Sequence, residues 1–120
     1  MEPSRLAERA AFLALEKKAR DIIILDLSQL TSATDRFVVC TGDSDVQVKA
    51  IADHVVEKMD EAGHRVWHVE GEQGRRWILL DFVDVVVHVF YSETRDFYSL
   101  ETLWGDAPAV RLDDGAREIA

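Results

Sequence analysis

The chain has a single cysteine, Cys40, so no internal disulfide can form, and its place at the end of an apolar run suits a small buried thiol in a reducing compartment. Basic residues are outnumbered, 14 Lys and Arg against 23 Asp and Glu, and the resulting net charge of −9 argues against contact with nucleic acid phosphates, DNA included, as the main source of affinity. Beside RNA, such a chain would touch a basic protein. No apolar run approaches the ~20 residues that span a bilayer, so membrane insertion is not expected and a soluble, cytoplasmic protein is. The start, Met1-Glu2-Pro3-Ser4-Arg5, lacks the positive region and apolar core of a secretory signal, and no targeting peptide is expected. Repeats and low-complexity linkers are absent, and 120 residues suffice for one domain that buries about two thirds of its unfolded surface.

The stretch that organises the rest is residues 77–91, Trp-Ile-Leu-Leu-Asp-Phe-Val-Asp-Val-Val-Val-His-Val-Phe-Tyr. It reads as a strand, a tight turn and a second strand. Strand side chains change face at every residue, so Trp77, Leu79 and Asp81 point one way and Ile78, Leu80 and Phe82 the other. Both faces are apolar and both need cover. If the chain's own helices cover only one, the other is a partner site; alternatively the pair is wholly internal.

Along the chain, Ser4 is expected to cap a first helix carrying Leu6, Ala10, Leu13 and Ala14 at helical spacing through about Lys18. Residues 21–27 and 36–40 read as buried strands. Ser44 and Gln47 have capping-box spacing before a helix whose stripe is Val48, Ile51, Ala52, Val55, Val56 and Met59, ending at Ala62-Gly63. Residues 65–69 form a third strand, expected parallel to the second through a right-handed crossover. After the hairpin, Ser92 opens a last helix with Phe97, Leu100, Leu103 and Trp104 on one stripe, and Gly105 ends it. The order αββαβββα predicts a compact α/β sandwich with a mixed five-stranded sheet and flanking helices. The domain is expected to span residues 1–105, with residues 106–120 a fraying tail.

Candidate chemistry is sparse. Thr41-Gly42-Asp43-Ser44 places a glycine at a helix N-terminus, where amides can hold a phosphate, but no GxxxxGK[ST] loop is present and Ser44 is explained as a cap. A Gly-Ser turn with two later carboxylates is what metal-dependent nucleotidyltransferases use; here Asp81 and Asp84 flank a turn three residues apart, unsuited to gripping magnesium together. His64, His68 and Glu70 make poor zinc spacing on a strand, and His54 lies mid-helix among charges. His88 interrupts a valine run, as a hydrogen-bonded core histidine or as a partner contact. Nothing flanking Cys40 would lower its pKa. No catalytic residue, cofactor or metal is assigned.

The run Asp21-Ile22-Ile23-Ile24-Leu25-Asp26-Leu27, then Thr34-Asp35-Arg36-Phe37-Val38-Val39-Cys40-Thr41-Gly42, Ile51-Ala52-Asp53, Glu70-Gly71, residues 77–81 and 84–90, and Arg95-Asp96-Phe97-Tyr98-Ser99-Leu100-Glu101-Thr102-Leu103-Trp104 resemble the ribosomal silencing factor, or iojap-like, family over about residues 5 to 106. Two positions depart from it. Val83 stands where the family usually has Gly at the hairpin turn, and Val46 where a basic residue is frequent. The resemblance implies a nucleotidyltransferase-like fold without catalysis, and binding to the large ribosomal subunit through large-subunit ribosomal protein fourteen so as to hinder subunit joining. The expected partner-binding residues are Trp77, Leu79, Asp81, Phe82, Asp84, Val86 and His88. A nucleotide-binding enzyme on the same scaffold is the competing class, and pairing of two copies through the same apolar face is a third.

Overall fold

Residues 85–90 are buried without a break, so the strand they form must lie inside a sheet with side chains packed on both faces. The computed structural model describes residues 2–98 and 105–112. The order there is α1 (Pro3–Glu16), β1 (Arg20–Asp26), β2 (Arg36–Gly42), α2 (Asp45–Glu61), β3 (His68–Glu70), β4 (Trp77–Asp81), β5 (Val85–Tyr91), α3 (Ser92–Tyr98) and β6 (Ala109–Leu112). The strands make one mixed sheet in the order β3-β4-β5-β2-β1-β6. β5 pairs parallel with β2 and antiparallel with β4, and the other pairings are antiparallel.

The sandwich with a mixed sheet is as expected, but the sheet has six strands. The sixth, β6, lies in the stretch expected to fray: its backbone completes the outer edge of β1, while Val110 and Leu112 turn toward the helices beside Ile24 and Ile22. The ladder supplies what the thin apolar content of this segment does not. Residues 113–120 lie outside the described residues. β3 runs in the same direction as β2 but is not its neighbour, because β4 and β5 stand between them. The all-apolar β5 takes the centre, and polar His68 and Glu70 suit the rim.

α1 and α2 pack on the same sheet face. α1 begins two residues earlier than a Ser4 cap would require, with Glu2 as N-cap and Pro3 in the first turn, where its fixed φ fits and its missing N–H costs nothing. Its small buried residues, Ala7, Ala10, Ala11 and Ala14, bring it close to the sheet and to α2. α2 starts as expected: the Ser44 hydroxyl accepts from the Gln47 N–H at 3.1 Å. The Gln47 side chain departs from the capping box. Its oxygen accepts from the Asp43 N–H at 2.6 Å, and its amide nitrogen donates to the carbonyls of Lys17 at 3.3 Å and Lys18 at 3.0 Å, tying α1's C-terminus to α2's N-terminus. Of the expected last helix, residues 99–104 lie outside the described residues.

Gly71 positions the strand that matters most below. Its φ is +87°, and a Cβ there would sit 2.0 Å from the Trp77 carbonyl oxygen. Only a residue without a side chain lets the turn after β3 lie against the start of β4. Gly71→Ala is therefore expected to lower stability by ~2 kcal/mol or more, read as a lower urea midpoint, together with shifted backbone resonances at Trp77 and Ile78. An unchanged midpoint would show that this close approach does not constrain the fold.

Candidate functional site

The sheet face away from α1 and α2 carries Trp77, Leu79 and Asp81 from β4, with Phe90, His88 and Val86 opposite them on β5. Phe37, Val39 and Thr41 of β2 and Ile23 and Leu25 of β1 continue it. Over β1 and β2 the chain after β5 provides cover: Ala107 packs with Ile23, Leu25, Val39 and Phe90. Arg95 of α3 is buried and donates to the Thr41 hydroxyl at 2.7 Å and to the Asp21 carbonyl. That carbonyl is presented by an irregularity in β1, where Asp21 has φ +50° and the register with β2 shifts. Over β4 the face is more open, and Trp77, Leu79 and Asp81 are half-buried.

Trp77 and His88 are joined across the strands. The indole N–H donates to His88 Nδ1 at 3.0 Å, which places the histidine's own proton on Nε2. Trp77 stacks on Phe90 with ring centres 4.9 Å apart, and Phe37 meets His88 edge-on at 4.4 Å. His88 is 3% exposed, and Nε2 is the one buried side-chain polar atom among the described residues with no hydrogen-bond partner. Burial pushes its pKa down to about 3. This is the hydrogen-bonded core histidine of the two readings left open above, with an unused donor in addition.

The remaining expected residues separate. Val86 is buried at 8%, beside Phe37 and Asp81. Phe82 is 7% exposed and belongs to the helix-side core, on the opposite face from Trp77, so its contribution to any docking is to brace the hairpin from within. The turn after it holds Val83 at φ +76°, a conformation glycine adopts freely and a β-branched residue does not. Asp81 Oδ1 accepts the Val83 N–H at 2.7 Å, and the Val83 carbonyl accepts from the Thr34 hydroxyl at 3.2 Å, which together hold the strained turn. Asp84 is exposed, and its carbonyl accepts the N–H groups of Asp35 and Arg36, fastening the turn to β2. Trp67, 72% exposed at the head of β3, was not singled out by periodicity. A lone Trp amid His64, Arg65 and His68 was the available signal.

The arrangement needed for nucleotidyl transfer is not assembled among the described residues. Gly42 lies opposite Tyr91, whereas Asp81 lies opposite Val86, so the helix-capping turn and the carboxylates sit at opposite ends of β5, roughly 16 Å apart at strand rise. A cleft of about 400 Å³ at the turn mixes Asp43, Asp45 and Glu93 with Arg75 and Arg76. Cys40 is fully buried and its thiol is pushed up to about 12, so it stays protonated. Among the described residues no group of three His, Cys, Asp or Glu side chains converges on a point where an ion could be held, and no helix is long and apolar enough to cross a membrane.

With α1 and α2 on one face of a mixed sheet, and α3 beside a half-open aromatic strip on the other, the chain is an α/β sandwich. The family model described as ribosomal silencing factor during starvation matches residues 1–120, and the chain belongs to that family. It is 42% identical over 118 residues to the Bacillus subtilis ribosomal silencing factor RsfS, covering 98% of this chain and 100% of that protein. A crystal structure of a Chromobacterium violaceum protein superposes with a TM-score of 0.85 at 45% identity, covering 88% of each chain. The chloroplastic Iojap protein of Zea mays is 37% identical over 102 residues, 82% of this chain and 43% of the plant protein.

His88 generates a pH prediction. Its folded pKa lies below the unfolded value of ~6.5, so the unfolded chain takes up the proton first, and stability present above pH ~6.5 is lost as pH falls toward 3. At ~1.4 kcal/mol per unit the ceiling is a few kcal/mol. Urea unfolding between pH 7 and 4 should therefore show a steeper loss for the unaltered protein than for His88→Gln, which keeps an acceptor for the indole. Parallel slopes would assign the acid loss to other groups.

Proposed function

We propose that this protein binds the large ribosomal subunit through large-subunit ribosomal protein fourteen and blocks joining of the small subunit by occupying the joining face, without turnover, in the cytoplasm. The observation that carries the reading is the half-open strip of Trp77 and Leu79, stacked on Phe90 and His88 and edged by Asp81 and the exposed Asp84. An indole with a packed body and a partly exposed edge is the kind of anchor that dominates protein interfaces, and an acidic rim suits a basic ribosomal protein. The net charge of −9 points the same way. A body measuring 34 × 33 × 28 Å is large enough to obstruct a subunit interface once docked. Family membership supports a silencing role; nothing in it requires chemistry. Two copies can cover the same strip on each other, so a free dimer would have to part before docking.

Sedimentation with purified large subunits tests the site. Trp77→Ala should weaken association by ~2 kcal/mol or more, and Leu79→Lys, which removes no hydrogen bond, should do the same; circular dichroism shows that each variant is folded. Two folded variants that co-sediment normally would remove the strip from the interface. Asp84→Lys should weaken association more at low salt than at high salt, because screening shrinks the difference. The mechanism is tested by adding the protein to separated subunits: loss of joined ribosomes should track the fraction of large subunits occupied and saturate near one copy each. A small catalytic amount that blocks nearly all joining, or normal joining of fully occupied subunits, would overturn occlusion.

A further inference from the structure

On the helix side of the sheet, opposite the Trp77 strip, a groove of about 320 Å³ runs between α2 and the β3 edge. Its floor is apolar: Ala52 and Val56 from α2, Val69 from β3 and Leu80 from β4. Its mouth is acidic, with Asp53, Glu57 and Glu72. Lys49 spans it, 2.5 Å from Asp53 and 3.5 Å from Glu72, and so offsets part of that charge. Glu57 is exposed and its carboxylate has no ion pair or hydrogen bond among the described residues. The groove opens beside β3, which among the described residues pairs only with β4 and so turns half of its backbone groups outward. Trp67, the most exposed large apolar residue described, stands at the head of that edge.

We propose that this edge and groove form a second docking surface, for an extended basic segment of a protein partner. The segment adds as a strand beside His68–Glu70, and alternate side chains on a strand share a face. One aliphatic side chain therefore enters the floor between Val56 and Val69, while Lys or Arg at the mouth meets Glu57, Glu72 and Asp53. The two halves need each other. A three-residue edge is too short to hold a strand by backbone bonds alone, and three exposed carboxylates are too well solvated to hold a peptide alone. The charge of the mouth selects a cationic segment against an acidic one. Because Val69 and Leu80 face the helices while Trp77 and Leu79 face away, this surface is separate from the strip proposed to dock on the ribosome and does not depend on that reading.

The probe is a seven-residue peptide with Val at its centre, Lys two residues to either side on the same strand face and Thr between them, titrated into the full chain and followed by amide chemical shifts. Perturbations are expected at Ala52, Asp53, Val56 and Glu57, and from Trp67 through Glu72. The double substitution Glu57→Lys, Glu72→Lys, at two exposed positions, should weaken binding tenfold or more, and the same peptide with a central proline should bind at least tenfold more weakly despite equal charge. Trp77→Ala should bind the peptide as the unaltered chain does. Equal affinity for the proline peptide, perturbations centred on residues 77–81, or binding untouched by the charge reversal would each overturn the proposal. Unchanged association of the charge-reversed protein with large subunits would confirm that the two surfaces are distinct, and its loss would merge them.

Discussion

Everything in this molecule leans on the pairing of β5 with its two neighbours. All seven residues of β2 are in register with β5 from Arg36–Val85 to Gly42–Tyr91, and the five of β4 from Trp77–Phe90 to Asp81–Val86. A strand so placed is shielded from water on both faces and both edges, so Val85, Val87 and Val89 can serve the helix-side core while Val86, His88 and Phe90 support the outer face. The aromatic strip is the outer surface of that central ladder. The half-exposed ring of Trp77 is held by a hydrogen bond and a stack already made within the chain, so docking of the kind proposed would not have to order it.

The hairpin was legible because period two survives in a buried strand: the alternation that set Trp77, Leu79 and Asp81 apart from Ile78, Leu80 and Phe82 is the division between the two faces observed. Parity should equally have withheld Phe82 from the partner-facing set. α2 was legible from its cap and stripe, which are local. Neighbours in the sheet were not, since the choice of β5 over β3 as partner of β2 is decided by burial summed over distant strands. β6 escaped because Val110 and Leu112 alone make a weak pattern, and their reason for ordering is an open edge far back in the chain. The burial of Arg95 could not be read at all, for its partners include a hydroxyl and a backbone carbonyl exposed by an irregular strand.

Charge is distributed with a similar division of labour. Asp26 and Asp35 hold Arg36, and Asp43 and Asp21 hold Arg20, so these carboxylates are occupied internally. The side chains of Asp84 and Glu57 have no such duty among the described residues. One lies beside the outer strip and the other at the mouth of the helix-side groove, and the surplus of negative charge is thereby available where apolar surface is also available. Exposed pairs contribute little to stability, so a surface of this kind costs the fold little to maintain.

The parallel pairing of β2 with β5 has a consequence for how the chain comes to be folded. Arg36 and Val85 are about 50 residues apart, and α2, β3 and β4 all lie in the intervening loop. During synthesis the centre of the sheet cannot form until β5 has left the exit tunnel, by which time the amphipathic α1 and α2 have emerged while β4 and β5, which cover part of their apolar stripes, are still missing. Long-range pairings of this kind place a domain among the slower folders, in the millisecond-to-second range, and the interval falls late in translation. For a member of a ribosome-directed family, the particle that makes the chain is also the first surface those partly uncovered stripes will meet.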